Sequence, residues 1–248
     1  MRSRGGAIDA ASASCVVTVD TGGQGTPFLL VHGIGVSSRY FERLVPVLAK
    51  HGRVIAVNLP GFGGTPKPNV AMAVEDFARS LERTIEQLGL PPCIVVGHSM
   101  GTQISTRLSV TRPDLVAAVA LLGPVMDPPA RSAVRATLRL GRDTLGERPR
   151  ANRLVLGDYL RCGIRWYLAV LPSMLSYRIE DDLPRIPVPT LVLRGEHDPI
   201  APEEWTRALA SAGIRSRAET VAGARHLVQH ARPRETAAAL NALARVAG

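Results

Sequence analysis

The chain has 248 residues, 46% of them hydrophobic, enough for one α/β domain with a small insertion and a substantial core. Its net charge of +9 is carried almost wholly by arginines (only Lys50 and Lys67 are lysines), with no basic run and 4% aromatics, which argues against a nucleic-acid surface. No apolar run approaches the roughly 20 residues that span a bilayer, and Cys15, Cys93 and Cys162 fit neither a disulfide framework nor a zinc-ligand spacing.

Met1 to Ser14 lacks the apolar segment of a signal peptide, so a cytoplasmic protein without membrane anchor, metal or cofactor is expected. Cys15 to Val19 alternates and runs into Asp20-Thr21-Gly22-Gly23, as an edge strand and its turn do. Pro27 to Val31 is a wholly apolar strand ending in His32-Gly33-Ile34-Gly35. Helical spacing follows at Phe41, Leu44, Val45 and Leu48, closed by Gly52. Val54 to Leu59 reads as another buried strand, ending in the loop Pro60-Gly61-Phe62-Gly63-Gly64-Thr65. Val74, Phe77, Ala78, Leu81, Ile85 and Leu88 form one face of a long amphipathic helix, stopped by Gly89 and Pro91.

Cys93 to Val96 then runs straight into Gly97-His98-Ser99-Met100-Gly101, with helix-compatible residues from Thr102 to Leu108. A buried strand that breaks sharply into a helix needs a tight turn, and Gly97 and Gly101 remove side chains that would clash there. Such a turn sets the Ser99 hydroxyl at the carboxyl end of a strand, beside free N–H groups and the positive end of a helix. Val116 to Leu122 is a further apolar strand. From Pro124 to Pro187 helical stretches alternate with Pro and Gly breaks and no strand is legible. Arg131, Arg135 and Arg139 share one face there, either solvated or turned towards an anion. Trp166, Tyr167, Leu171, Met174, Leu175 and Tyr177 gather apolar surface, to pack the insertion down or to line a pocket. Strand character returns at Pro189 to Leu193, ending in Arg194-Gly195-Glu196-His197-Asp198-Pro199. A helix from Pro202 to Ala212, an alternating stretch Ser216 to Val221, Gly223-Ala224-Arg225-His226 and a final Ala/Leu helix to Val246 complete the chain.

Apolar strands alternating with helices imply an α/β fold: a mostly parallel, twisted sheet covered on both faces, with its ligand site beyond the carboxyl ends of the strands. A serine hydroxyl needs a base, and the base needs an acid to hold its tautomer. The order Ser99, Asp198, His226, with the five glycine-marked motifs, resembles the α/β-hydrolase fold family of the capped serine-esterase type over roughly Val16 to Val246. The resemblance implies residues 1–123 and 188–248 as the hydrolase core and 124–187 as a helical cap. It makes Ser99 the nucleophile, His226 the general acid and base, Asp198 its orienting partner, and the backbone N–H groups of Ile34 and Met100 the oxyanion hole. His32, Gly33, Gly97, His98 and Gly101 support the motif. Asp127 is a rival for the acid and His230 for the base.

The expected activity is hydrolysis of a carboxylic ester or thioester through an acyl-enzyme, by a carboxylesterase or thioesterase. A carbon–carbon bond hydrolase or a cofactor-free perhydrolase would use the same three residues. Dehalogenase and epoxide-hydrolase relatives need a carboxylate where Ser99 stands, and a non-catalytic ligand receptor on this fold would be expected to lose the His or Asp. The expected partner is a small acyl substrate, and the arginine excess points to an anionic or carrier-linked one.

Overall fold

The computed structural model describes residues 9–147 and 149–247; the reading of residues 1–8 falls outside them. Seven strands form one sheet: β1 (Val16–Asp20), β2 (Phe28–Val31), β3 (Val54–Asn58), β4 (Cys93–His98), β5 (Val116–Leu122), β6 (Thr190–Gly195) and β7 (Ser216–Val221), in the order β1-β3-β2-β4-β5-β6-β7. β1 runs antiparallel to β3 and every other neighbouring pair is parallel. Because β2 lies between β3 and β4, the chain steps to one side of β2 and returns on the other. That reversal opens a crevice at the carboxyl ends of β2 and β4, where open parallel sheets place their ligands.

Ten helices occur among the described residues: α1 (Val45–Leu48), α2 (Val74–Gln87), α3 (Met100–Thr111), α4 (Ala133–Gly146), α5 (Pro149–Cys162), α6 (Ile164–Ser176), α7 (Ile179–Asp182), α8 (Glu203–Ala212), α9 (Val228–Ala231) and α10 (Pro233–Ala247). None is long and apolar enough to cross a membrane. Alternate strand residues bury on opposite faces. Leu29, Val31, Ile55, Val57 and Val95 pack with Phe77, Leu81, Ile104 and Leu209 from α2, α3 and α8. Phe28, Leu30, Ala56, Ile94 and Val96 pack with Leu48, Leu240 and Leu243 from α1 and α10. Covering both faces is why β2, β3 and β4 are buried throughout and read as continuous apolar runs.

The periodicity at Phe41–Leu48 gives a 3-10 turn (Ser38–Phe41) and the single-turn α1 in place of one helix. Pro46 has no N–H to return to Glu42, so an unbroken helix would lack that bond. Leu88, expected on the buried face of α2, is its C-terminal cap and is exposed.

The turn from β4 into α3 is the tightest in the chain. Ser99 has φ +56° and ψ −123°, and its N–H donates to the Leu122 carbonyl at 3.0 Å. A Cβ on Gly97 would overlap the Gly101 carbonyl, and one on Gly101 would overlap the Val31 carbonyl of β2. Both neighbours are backbone and cannot rotate away. Gly101→Ala should therefore cost about 2–3 kcal/mol, a fall in Tm of roughly 5–10 °C in a thermal melt.

The four helices inserted between β5 and β6 lie across the carboxyl edge of the sheet. The Val74 N–H donates to Ser173 Oγ at 2.9 Å, and Gln103 Nε2 donates to the Met174 carbonyl at 2.9 Å. The Ser37 hydroxyl donates to Asp158 of α5. Two aromatic rings of the insertion lie against glycines of the core loops, Tyr159 on Gly35 and Trp166 on Gly61, where any side chain would collide with them.

Candidate active site

Ser99 stands where β4 ends, next to the loop that follows β2. Register pairs Val31 with Gly97, so the two strands finish level. Gly33 packs on the serine so closely that a Cβ there would sit 2.9 Å from Ser99 Cβ and 3.3 Å from Oγ. Among the described residues, neither the Ile34 nor the Met100 backbone N–H donates to a protein acceptor. Both flank Ser99, one following the β2 motif and one opening α3.

His226 lies in the loop between β7 and α9, and its Nδ1 meets Asp198 Oδ2 at 2.9 Å. The other oxygen, Oδ1, accepts from the N–H groups of Ile200 (2.8 Å) and Ala201 (3.1 Å). With Nδ1–H committed to the carboxylate, Nε2 is the nitrogen left to accept a proton. Gly123, at φ +55°, makes room: a Cβ there would sit 2.9 Å from His226 Nδ1. Burial by itself disfavours a charged imidazole, yet Asp198, Asp143 and Glu147 outweigh it and hold His226 above its ordinary value. Burial likewise pushes Asp198 up, but His226 and the two amides leave it below the usual carboxylate range. No hydrogen bond joins the Ser99 hydroxyl to His226 among the described residues. In sites without substrate such bonds are commonly long, and they tighten on binding.

The rivals are engaged elsewhere. Asp127 forms an ion pair with Arg139, whose Nη2 lies 3.0 Å from Oδ2, and His230 faces Glu42 at 3.7 Å. His32 and His98 are buried supports. Leu59 N–H donates to His32 Nε2 at 3.0 Å, so His32 Nδ1–H donates to the Gly33 carbonyl at 2.8 Å. A chain of three bonds then crosses the site. Gly33 N–H donates to the Tyr40 hydroxyl (2.8 Å), that hydroxyl donates to His98 Nδ1 (2.9 Å), and His98 Nε2–H donates to the His226 carbonyl (3.0 Å). Every donor in the chain meets one acceptor, which fixes the His98 tautomer. Burial and the adjacent His226 push His98 down to about 3, so its ring is neutral.

Above Ser99 lies a cavity with roughly 850 Å³ of empty space, its mouth included, walled mainly by apolar and aromatic side chains. Tyr159, Tyr167, Leu171 and Met174 of the insertion line it, while Trp166 packs on Gly61 and Phe62 and the Tyr177 hydroxyl donates to Asp182. The aromatic cluster thus divides between pocket wall and packing. The arginine face does not line the cavity: Arg131 pairs with Glu180 and Arg139 with Asp127. Two carboxylates do: Asp143 in the last turn of α4 and Glu147, its C-terminal cap. Asp143 Oδ1 accepts from the His226 N–H at 3.3 Å, and Glu147 Oε1 accepts from the Leu227 N–H at 3.1 Å. Burial pushes Asp143 up to about 6. Neither acid nor Tyr40 was legible as a site residue. The only signal was an acidic pair at i, i+4 in an arginine-rich helix, which usually marks a solvated face.

The alpha/beta hydrolase family model matches residues 28–239. The chain belongs to this family. It is 31% identical over 247 residues to the (E)-2-((N-methylformamido)methylene)succinate hydrolase of Acinetobacter baylyi, covering 89% of this chain and 90% of that protein. It is also 31% identical to a putative non-heme haloperoxidase of Mycobacterium phage D29, over 76% of this chain and 77% of the other. Among solved structures, a thermophilic esterase from Thermogutta terrifontis superposes with a TM-score of 0.79 at 22% identity, over 95% of this chain and 99% of that one. The hydrolase thus shares its fold with esterases and most of its length with relatives of different reactions. Within it, Tyr40→Phe would leave the Gly33 N–H and His98 Nδ1 without their shared partner. We expect a loss of about 1–3 kcal/mol in urea unfolding, since both groups are buried.

Proposed function

We propose that this hydrolase cleaves carboxylic esters or thioesters of apolar acyl groups through an acyl-enzyme on Ser99. The observation that carries the reading is the Asp198–His226 pair, which commits Nδ1 and leaves Nε2 as the base on the rim where Ser99 emerges. His226 Nε2 takes the hydroxyl proton as Ser99 Oγ attacks the substrate carbonyl. The carbonyl oxygen gains negative charge, and the Ile34 and Met100 N–H groups donate to it, each worth about 3–4 kcal/mol at the transition state. The imidazolium, steadied by Asp198, then protonates the departing alcohol or thiol, and the C–O or C–S bond breaks. Water enters, gives its proton to Nε2 and attacks the acyl carbon; collapse returns the proton to Ser99 Oγ and frees the acid.

In this reading residues 124–187 act as the cap that walls the acyl pocket, over a core of residues 1–123 and 188–248. The solved esterase neighbour and the serine in place of a carboxylate at the turn support ester cleavage. A substituted succinate, as named for the Acinetobacter relative, would bring carboxylates to a pocket whose described lining holds no lysine or arginine. An uncharged acyl group suits that lining better.

A fluorophosphonate probe should label the protein at Ser99, and Ser99→Ala should abolish both labelling and hydrolysis of p-nitrophenyl esters. Folded protein that resists the probe would refute the reading. Because His226 must be neutral to act as base and is held above its ordinary 6.5, kcat/KM should rise with pH along a limb centred above 6.5. Asp198→Asn should lower kcat by about 10⁴-fold. An acid limb at or below 6.5 would mean that the carboxylates do not govern the imidazole.

A further inference from the structure

We propose that the cavity selects substrates by charge, accepting groups that are neutral or carry an amine and turning away groups that carry a carboxylate, with Asp143 and Glu147 as the discriminating residues. The inference rests on the ester-hydrolase reading above and names the substrate class of that site. Among the described lining residues these two are the only acids, and no arginine or lysine accompanies them. Asp143 lies in the last turn of α4 and Glu147 caps that helix in extended backbone, and both line the same cavity. The rest of the wall carries no formal charge: it is mainly apolar or aromatic, with Val36, Val125, Leu140 and Leu171, and its polar members Thr137, Thr144 and Asn152 are neutral. His98, which also lines the cavity, is neutral and has both nitrogens engaged.

The nearby cations are spent or displaced. Arg139 and Arg131 pair with Asp127 and Glu180, and Arg225 reaches Asp143 only at 3.9 Å and does not line the cavity. One oxygen of each acid accepts from a backbone amide, of His226 and of Leu227. An amide holds a carboxylate in place without cancelling its charge. A carboxylate entering this cavity would meet like charge, whereas an ammonium group would gain an opposite one.

The test uses p-nitrophenyl esters whose acyl chains share one spacer and end in trimethylammonium, tert-butyl or carboxylate, and a second set carrying the same groups on the alcohol. In at least one set the carboxylate ester should show a kcat/KM at least about tenfold below its tert-butyl isostere, with the trimethylammonium ester at or above it. In the double variant Asp143→Asn with Glu147→Gln the carboxylate-to-tert-butyl ratio should move towards one. The new amides can still accept from the His226 and Leu227 N–H groups, and a ratio within one preparation is insensitive to lost folded protein. Equal turnover of the carboxylate and tert-butyl esters in both sets, or a ratio unmoved in the variant, overturns the proposal.

Calorimetric binding of alkyl trimethylammonium and alkanoate ions of equal length reads the preference without turnover. Tighter binding of the ammonium ion supports the proposal, and equal binding, binding of neither, or tighter binding of the alkanoate overturns it. Failure of the serine reading itself shows separately, as absent phosphonate labelling of folded protein.

Discussion

The structure depends on how closely the start of α3 can approach the end of β2. Gly101 sits on the Val31 carbonyl, and Gly97 on the Gly101 carbonyl, at separations that admit a hydrogen and nothing larger. That approach holds Ser99 in a backbone conformation that an L-residue adopts only under restraint, at a cost of about 1–3 kcal/mol. The buried strands on either side supply the restraint, together with the bond from Ser99 N–H to Leu122. With β2 and β4 finishing level, the loop after β2 and the first turn of α3 both offer unpaired amides beside one hydroxyl.

The rest of the site is held by bonds between segments remote in sequence. Tyr40 and His98 tie the loop after β2 to the loop that carries His226, and α4 grips that same loop through two backbone amides. A neutral histidine serves well as the middle of such a tie, since it offers one donor and one acceptor on opposite edges of a rigid ring. Burial and the neighbouring His226 hold it well below the ordinary imidazole value, so the ring is neutral around pH 7. His226 is close by and equally buried, yet it is biased the other way because carboxylates surround it. Environment separates two rings whose centroids are 4.7 Å apart.

Much of this was legible in the residues themselves. Glycines at 97 and 101, after a run of β-branched side chains, announce a turn that nothing larger could make; apolar runs foreshadowed β2 to β6, and alternation foreshadowed the two edge strands β1 and β7. Asp198 is preferred to Asp127 through its glycine-marked motif and the order Ser, Asp, His, not through local pattern, since each follows a strand and precedes a helix. In the structure His226 meets Asp198, while the guanidinium of Arg139, twelve residues beyond Asp127, claims the other acid. The short helix near residue 45 was misjudged because apolar spacing overrode a single proline. Tyr40, Asp143 and Glu147 left no usable signal, since their roles come from tertiary neighbours and not from local pattern.

The parallel pairing of β5 with β6, from Val119 opposite Thr190 to Leu122 opposite Leu193, has an evolutionary corollary. The two strands pair directly, so the chain between Leu122 and Thr190 is an excursion that the register does not feel. Lengthening such an excursion costs little, about 0.6 kcal/mol for each doubling of a flexible loop. The length of chain between Leu122 and Thr190 can therefore change while the pairing of the two strands, and the serine-bearing turn one strand away, keep their places.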